Sequence, residues 1–174
     1  MKNFIVYCFL FLLFFSGSRT SLMVGYKPIY ISKTEAKTIN FESPREIINQ
    51  GKIYIKGQYI FIGDNGLGVH VIDNSIPENP QKIGFLQIYG NHDIAIKGFS
   101  LYADNFEDLV TIDISDIHHP LETNRVKNIY DLHETNYPPN VPYYTYFECV
   151  DPSKGYVLDW VETELSDPKC YTTY

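Results

Sequence analysis

The chain has 174 residues, with 14 Lys and Arg against 21 Asp and Glu, a formal net charge of −7, and 44% hydrophobic and 16% aromatic residues. That length suits one domain and is short for two. The acidic balance, with no cluster of Lys and Arg, excludes nucleic acid as a partner and gives no electrostatic pull towards anionic lipid headgroups.

Residues Phe4 to Phe15 are an unbroken apolar run behind Lys2, followed by Ser16-Gly17-Ser18. A positive start, an apolar middle and small residues at the end predict a secretory signal peptide over 1–18. The run is too short for a bilayer-spanning helix, which needs about 18 apolar residues or more. An uncleaved signal is the one membrane attachment this pattern offers, with Leu22-Met23-Val24 as a second, weaker apolar patch. Cleavage after Ser18 removes Lys2 and makes the mature chain more acidic. It also removes Cys8, leaving Cys149 and Cys170 in a chain bound for an oxidising compartment. Those two could form a disulfide or remain thiols. Zinc fits less well, because neither lies in a Cys-x-x-Cys pair or a Cys and His series.

Residues 19–50 read as an extended leader in which Pro28 to Ile31 alternates briefly, and Ser32-Lys33-Thr34-Glu35 fits a capping box that could start one short helix. The strands begin at Gly51. Ile53-Tyr54-Ile55-Lys56-Gly57 returns as Ile94-Ala95-Ile96-Lys97-Gly98, 41 residues on, and Ile72-Asp73-Asn74-Ser75 returns as Ile112-Asp113-Ile114-Ser115, 40 residues on. One residue is therefore lost between the two elements. A repeat of about 40 residues made of short apolar strands is the signature of a β-propeller blade. The first copy, 51–89, predicts strands at 52–55, 59–62, 69–73 and 83–88. The second, 90–129, predicts strands at 93–96, 100–103, 109–114 and 125–129. Asp73, Ser75 and Pro80, with Asp113, Ser115 and Pro120, end a strand and reverse the chain: Asp and Ser side chains accept from nearby amides, and proline leaves the ladder. Both aspartates thus have a structural use without catalysis.

Residues 130–145 hold Pro138, Pro139 and Pro142 and read as a stiff connection. Beyond it, apolar runs at 146–150 and 156–161 flank Asp151-Pro152-Ser153-Lys154-Gly155, which predicts a hairpin and hence a partial third blade over 146–174. The fold class expected is all-β: two propeller-type blades of antiparallel strands and part of a third.

Chemistry is sparse. The pair His118-His119, with Asp116, could meet a metal, but no further ligand is fixed by spacing, and a solvated turn explains them as well. His92-Asp93 could be a general-base pair, although a carboxylate at the start of a strand usually satisfies turn amides. His70 sits on a strand, more suited to facing a neighbouring sheet or solvent than a substrate. Asp64-Asn65-Gly66 resembles part of a calcium loop without its remaining ligands. Tyr137, Tyr143, Tyr144, Tyr146 and Trp160 could form a stacking platform for a glycan or could pack between blades. No nucleophile elbow, phosphate loop or metalloprotease motif is present, and no cofactor is implied.

Leu109-Val110-Thr111-Ile112-Asp113 resembles the motif that names the LVIVD-repeat family of exported, β-propeller-like bacterial proteins, and Val69-His70-Val71-Ile72-Asp73 occupies the same place in the first copy. The flanks at 27–32 and 147–155 are similar to those of family members. Two departures stand out. Lipid-anchored members end their signal with a Leu-Ser-Gly-Cys type box, whereas Phe15-Ser16-Gly17-Ser18 here has no cysteine to carry lipid. A closed propeller of four blades also needs roughly 160 residues of blade, so the resemblance implies a longer parent, of which this chain looks like the N-terminal portion. The expected function is a non-catalytic exported module that binds or scaffolds a protein or glycan at the cell envelope, with some self-association through open strand edges. The alternative is a fragment of a larger propeller enzyme, or a truncated product with no activity of its own.

Overall fold

The computed structural model describes residues 21–131 and 136–173. The signal run, its cleavage site and Cys8 lie outside them. In chain order the elements are β1 (Leu22–Ile31), α1 (Lys33–Ala36), β2 (Asn40–Glu42), β3 (Gln50–Lys56), β4 (Tyr59–Asp64), β5 (Gly68–Asp73), β6 (Gln81–Gln87), β7 (Ile94–Lys97), β8 (Ser100–Asn105), β9 (Asp108–Asp113), β10 (Leu121–Val126), β11 (Tyr146–Phe147), β12 (Tyr156–Ser166) and β13 (Cys170–Tyr171). They form three sheets, ordered β2-β6-β5-β4-β3, β10-β9-β8-β7 and β12-β1-β11-β13. The protein is all-β, and among the described residues no helix is long and apolar enough to cross a membrane.

The first two sheets are the two repeats. Lys56 pairs with Tyr59, and Lys97 with Ser100, which leaves two-residue hairpin turns opening on Gly57 (φ 58°) and Gly98 (φ 62°). A positive φ at the first central residue matches the twist of the flanking strands and is open to glycine without strain, so the repeated Lys-Gly is a turn requirement. The missing residue is also located. Asp64 pairs with Gly68 across a three-residue turn, whereas Asn105 pairs with Asp108 across two. Strands before that turn are offset by 41 residues and strands after it by 40, as the pairs Ile62–His70 and Ala103–Val110 show.

The two repeat sheets stack face to face. Phe61, Val69, Val71 and Leu86 of the first sheet share one buried core with Ile94, Ile96, Leu101, Val110 and Ile112 of the second. Each such side chain contributes about 1.5–3 kcal/mol by leaving water. The Tyr54 hydroxyl donates to the Ile96 carbonyl (2.8 Å) across the seam. On the outer edge of the first sheet, Phe41 of β2 lies flat on Gly84, where an added Cβ would come within 2.0 Å of Phe41 Cζ. Gly84→Ala is therefore expected to push β2 off and to cost about 1–3 kcal/mol, as overpacking does. Urea unfolding, with faster amide exchange at 40–42, checks it.

Two expected strands are corrected. The fourth strand of the second repeat runs over Leu121–Val126, not 125–129, and pairs with β9 from Leu121 opposite Asp113. Its Glu122 and Asn124 hide it from an apolar pattern, because an edge strand tolerates polar side chains. The hairpin expected over 146–161 does not form. β11 and β12 are separated by β1, which runs antiparallel to β12 from Leu22–Ser166 to Ile31–Tyr156 and parallel to β11 at Tyr26–Phe147. The ten-residue β1 offers β12 far more ladder bonds than the short β11 could, and Asp151–Gly155 instead makes a 3-10 turn in which Asp151 Oδ1 accepts from Ser153 N (3.0 Å). Pro28 is tolerated in this middle strand because β11 pairing ends with Glu148 N donating to Tyr26 O, so the missing N–H removes no bond on that side. The leader thus supplies a full strand of the third sheet as well as the short helix, whose N-cap Ser32 Oγ accepts from Glu35 N (3.2 Å).

The third sheet contributes no side chain to the core between the repeats. It meets the second repeat through Ile31, Ala36, Phe106 and Tyr156, with the rings of Phe106 and Tyr156 stacked at 4.3 Å. An ion network reinforces this junction. Lys37 Nζ binds Glu107 (2.9 Å) and Asp108 (2.8 Å), Arg125 binds Asp108 (3.1 Å) and Glu122 (2.8 Å), and the Tyr156 hydroxyl donates to Glu107. Cys149 and Cys170 are disulfide-bonded beside the paired β11 and β13.

Candidate binding groove

Where the turns of both repeats face β12, the surface opens into a groove of about 500 Å3. Its floor is the seam between repeats: Gly66 N donates to Asn91 O (2.7 Å) and Gly90 N to Gly66 O (2.9 Å). Phe106, Tyr130, Tyr137 and Trp160 bring aromatic surface to it, and Asp104, Asp131 and Asp159 bring carboxylates. The Trp160 ring is steadied edge-on against Phe147 at 5.5 Å. Asp104 is fixed where it stands, its Oδ1 accepting from Asn91 Nδ2 (2.7 Å), His92 N (2.9 Å) and Asp93 N (2.9 Å). The field here is negative: burial, then the charges of Asp104 and Asp93, raise the Tyr130 hydroxyl above its ordinary value. A second hollow of similar volume beside the disulfide is lined by Lys27, Glu148 and Thr163 among others and holds no aromatic ring.

The side chains singled out by sequence go to different places. Tyr137, Trp160 and His92 line the groove together. Tyr144 and Tyr146 instead pack against Tyr171, each at 6.1 Å, so the five aromatics do not form one platform. His92 and Asp93 give their backbone amides to Asp104, while the Asp93 carboxylate pairs with Lys52 of the first repeat at 2.7 Å. His119 Nδ1 lies 2.8 Å from Asp116, whose other oxygen accepts from His118 N. That closes an exposed turn, and among the described residues no three His, Cys, Asp or Glu side chains gather as metal ligands. Asp64 is fully buried, accepting from Ile48 N (3.1 Å), Asn49 N (2.6 Å) and, at 3.0 Å, facing His70 Nε2. Burial alone would raise the Asp64 carboxyl, but His70 and the two amides outweigh it and hold the group below its ordinary value. His70 itself is buried edge-on against Phe85 at 4.7 Å. Asp73 and Asp113 each accept from the amide two residues on, Ser75 and Ser115, at 2.8 Å. Pro80 and Pro120 immediately precede β6 and β10, and Leu109 lies half-buried on β9.

Tyr130, Asp104 and Asp159 are not legible as site residues in the sequence. Each comes from a different sheet or connection, and only the docking of the third sheet brings them together. The nearest signal is the repeat offset, which places Asp104 where the first repeat has Gly63, a carboxylate added at a strand end.

Residues 50–86 and 91–128 match the family model described as LVIVD repeat. No curated protein and no solved structure matches the chain. The two matched segments make up the two stacked sheets apart from β2, with the Lys-Gly turn and the Asp-x-Ser strand end in each, and the chain accordingly carries two LVIVD repeats.

Proposed function

We propose that this chain is an exported, non-catalytic binding module of the cell envelope, and that its groove takes a neutral or positively charged saccharide. The observation that carries the reading is the gathering of Tyr130, Tyr137 and Trp160 with three aspartates in the lining of one groove. The apolar C–H face of a sugar ring stacks on aromatic surface, and its hydroxyls donate to carboxylates, as ligand sites with a few fixed polar groups in apolar walls do. Asp104, Asp131 and Asp159, on a chain already carrying a net charge of −7, disfavour anionic sugars. Export is supported by the apolar run at 4–15 behind Lys2.

A glycan array probed with the exported chain tests this. Retention of neutral or amino sugars is expected, with at least a tenfold loss of affinity in Trp160→Ala, which loses one stacking face. Folded wild-type protein that retains no saccharide, or that retains the same ones after Trp160→Ala, would falsify the assignment of the groove.

A further inference from the structure

The two repeats bury the same face to very different extents. By strand register, Ile53, Ile55, Ile60, Ile62 and Ile72 of the first repeat correspond to Ile94, Ile96, Leu101, Ala103 and Ile112 of the second. In the second repeat that face lies against the first, and Ile94 and Ile96 are 4% and 7% exposed. In the first repeat the matching Ile53 and Ile55 are 54% and 67% exposed. The residue type is unchanged at both positions. Ile60, Ile62 and Ile72 beside them are half-buried, and Arg45 covers Phe85 at the far end of the face, so the β3 side of an apolar face of the kind that repeats use for stacking stands open. Scattered exposed isoleucines need no explanation, but an ordered row on one sheet face marks an interaction surface.

What covers that face inside the chain shows what fits it. Phe61, Val71 and Leu86, on the far side of the first repeat, belong to the core with the second. Their counterparts in the second repeat are Tyr102, Thr111 and Val126, which lie with Ala95 on its outward face. Tyr102 and Thr111 are half-buried there, and Ala95 and Val126 are exposed. One molecule therefore carries both halves of the repeat-to-repeat contact unfilled, the isoleucine face on one sheet and its complement on the other. We propose that the isoleucine face of the first repeat takes the outward face of the second repeat of another copy of this chain, head to tail. Such a contact is heterologous and can close into a ring. Two copies stack four repeat sheets, the lower end of the range in which propellers close.

Sedimentation velocity over a hundredfold range of concentration tests the proposal with three samples: Ile55→Glu, Ala95→Glu and their equimolar mixture. Both positions are exposed, and Ile55→Ser and Ala95→Gln replace either variant that loses the wild-type circular-dichroism spectrum. Wild-type protein is expected to self-associate, and each single variant to associate at least tenfold more weakly. The mixture retains one intact contact, so it is expected to form dimers and nothing larger. A wild-type monomer at every concentration overturns the proposal. So does association that survives both substitutions, or a mixture that stays monomeric. Dissociation by Ile55→Glu alone overturns it too, since that result marks two isoleucine faces meeting each other.

Discussion

Replacing Asp108 with alanine is expected to cost about 3 kcal/mol in urea unfolding, the lower end of what removing one partner of a buried ion pair costs. Asp108 is 2% exposed and receives Lys37 Nζ (2.8 Å), Arg125 Nη1 (3.1 Å) and Asn128 N (3.1 Å). Without it two cations remain near the junction. Lys37 keeps Glu107, and Arg125 keeps both oxygens of Glu122 (2.9 and 2.8 Å), which holds the loss to the lower end. Arg125 also donates to the Lys37 carbonyl (2.9 Å), so the cluster ties the leader to the second repeat, and Tyr156 through Glu107 ties in the third sheet. Asp108→Ala should accordingly loosen the wall of the groove as well as the fold.

The same carboxylate sets an acid dependence. Burial alone would raise Asp108, but Lys37, the Asn128 amide and Arg125 outweigh it and hold the group below its ordinary 3.8. A carboxyl depressed in the folded state contributes its full stability above that ordinary value and loses it as pH falls through the folded value. Unfolding free energy should therefore show no loss from this group between about pH 7 and 5 and should drop below about pH 4. Asp108→Asn should flatten part of that drop. Asp64 and Glu107, depressed against burial by His70 and by Lys37 respectively, share the rest with Asp116 and Asp151, which His119 and Ser153 lower at the surface. An unchanged acid limb in Asp108→Asn would show that the network carries no linkage.

Reduction of the Cys149–Cys170 bond, or the paired change of both cysteines to serine, is expected to cost about 3 kcal/mol, the chain-entropy value for a loop of this size. At about 2–4 °C per kcal/mol for a chain of this length, the thermal midpoint should fall by about 6–12 °C. The bond matters locally because β13 is short, paired through Tyr146–Tyr171 and Phe147–Cys170 and continued by Thr172, which exchanges backbone bonds with Tyr144 and Thr145. Phe147 in turn supports Trp160, so the loss should reach the groove. Calorimetry with and without reductant checks it, and a shift under about 2 °C would contradict the account.

How much of this the sequence reveals depends on whether a feature is local. The turn glycines Gly57 and Gly98, the caps at Asp73 and Asp113 and the apolar rows of β4 and β9 are each set by neighbours a few residues away, and all are readable in the repeat. The third sheet is not local. Leu22–Ile31 looks like a leader because its ladder partners lie more than a hundred residues away in β12, and no pattern within the segment marks them. Leu121–Val126 is hidden for the opposite reason, as polar side chains on an edge strand erase the apolar signal. The groove inherits both difficulties. Trp160 and Tyr137 stand out in the sequence as large aromatic residues, while Asp104 and Tyr130 gain meaning only once the third sheet is docked.

Trp160 is the single tryptophan of the chain and lies in the groove wall, so its emission reports on that site alone. Titration with the neutral or amino sugars retained on an array is expected to give a saturable change in Trp160 emission, lost in Asp104→Asn, which alters the carboxylate beside the rings. Saccharide binding measured by calorimetry with no change in Trp160 emission would place the ligand elsewhere and contradict the account.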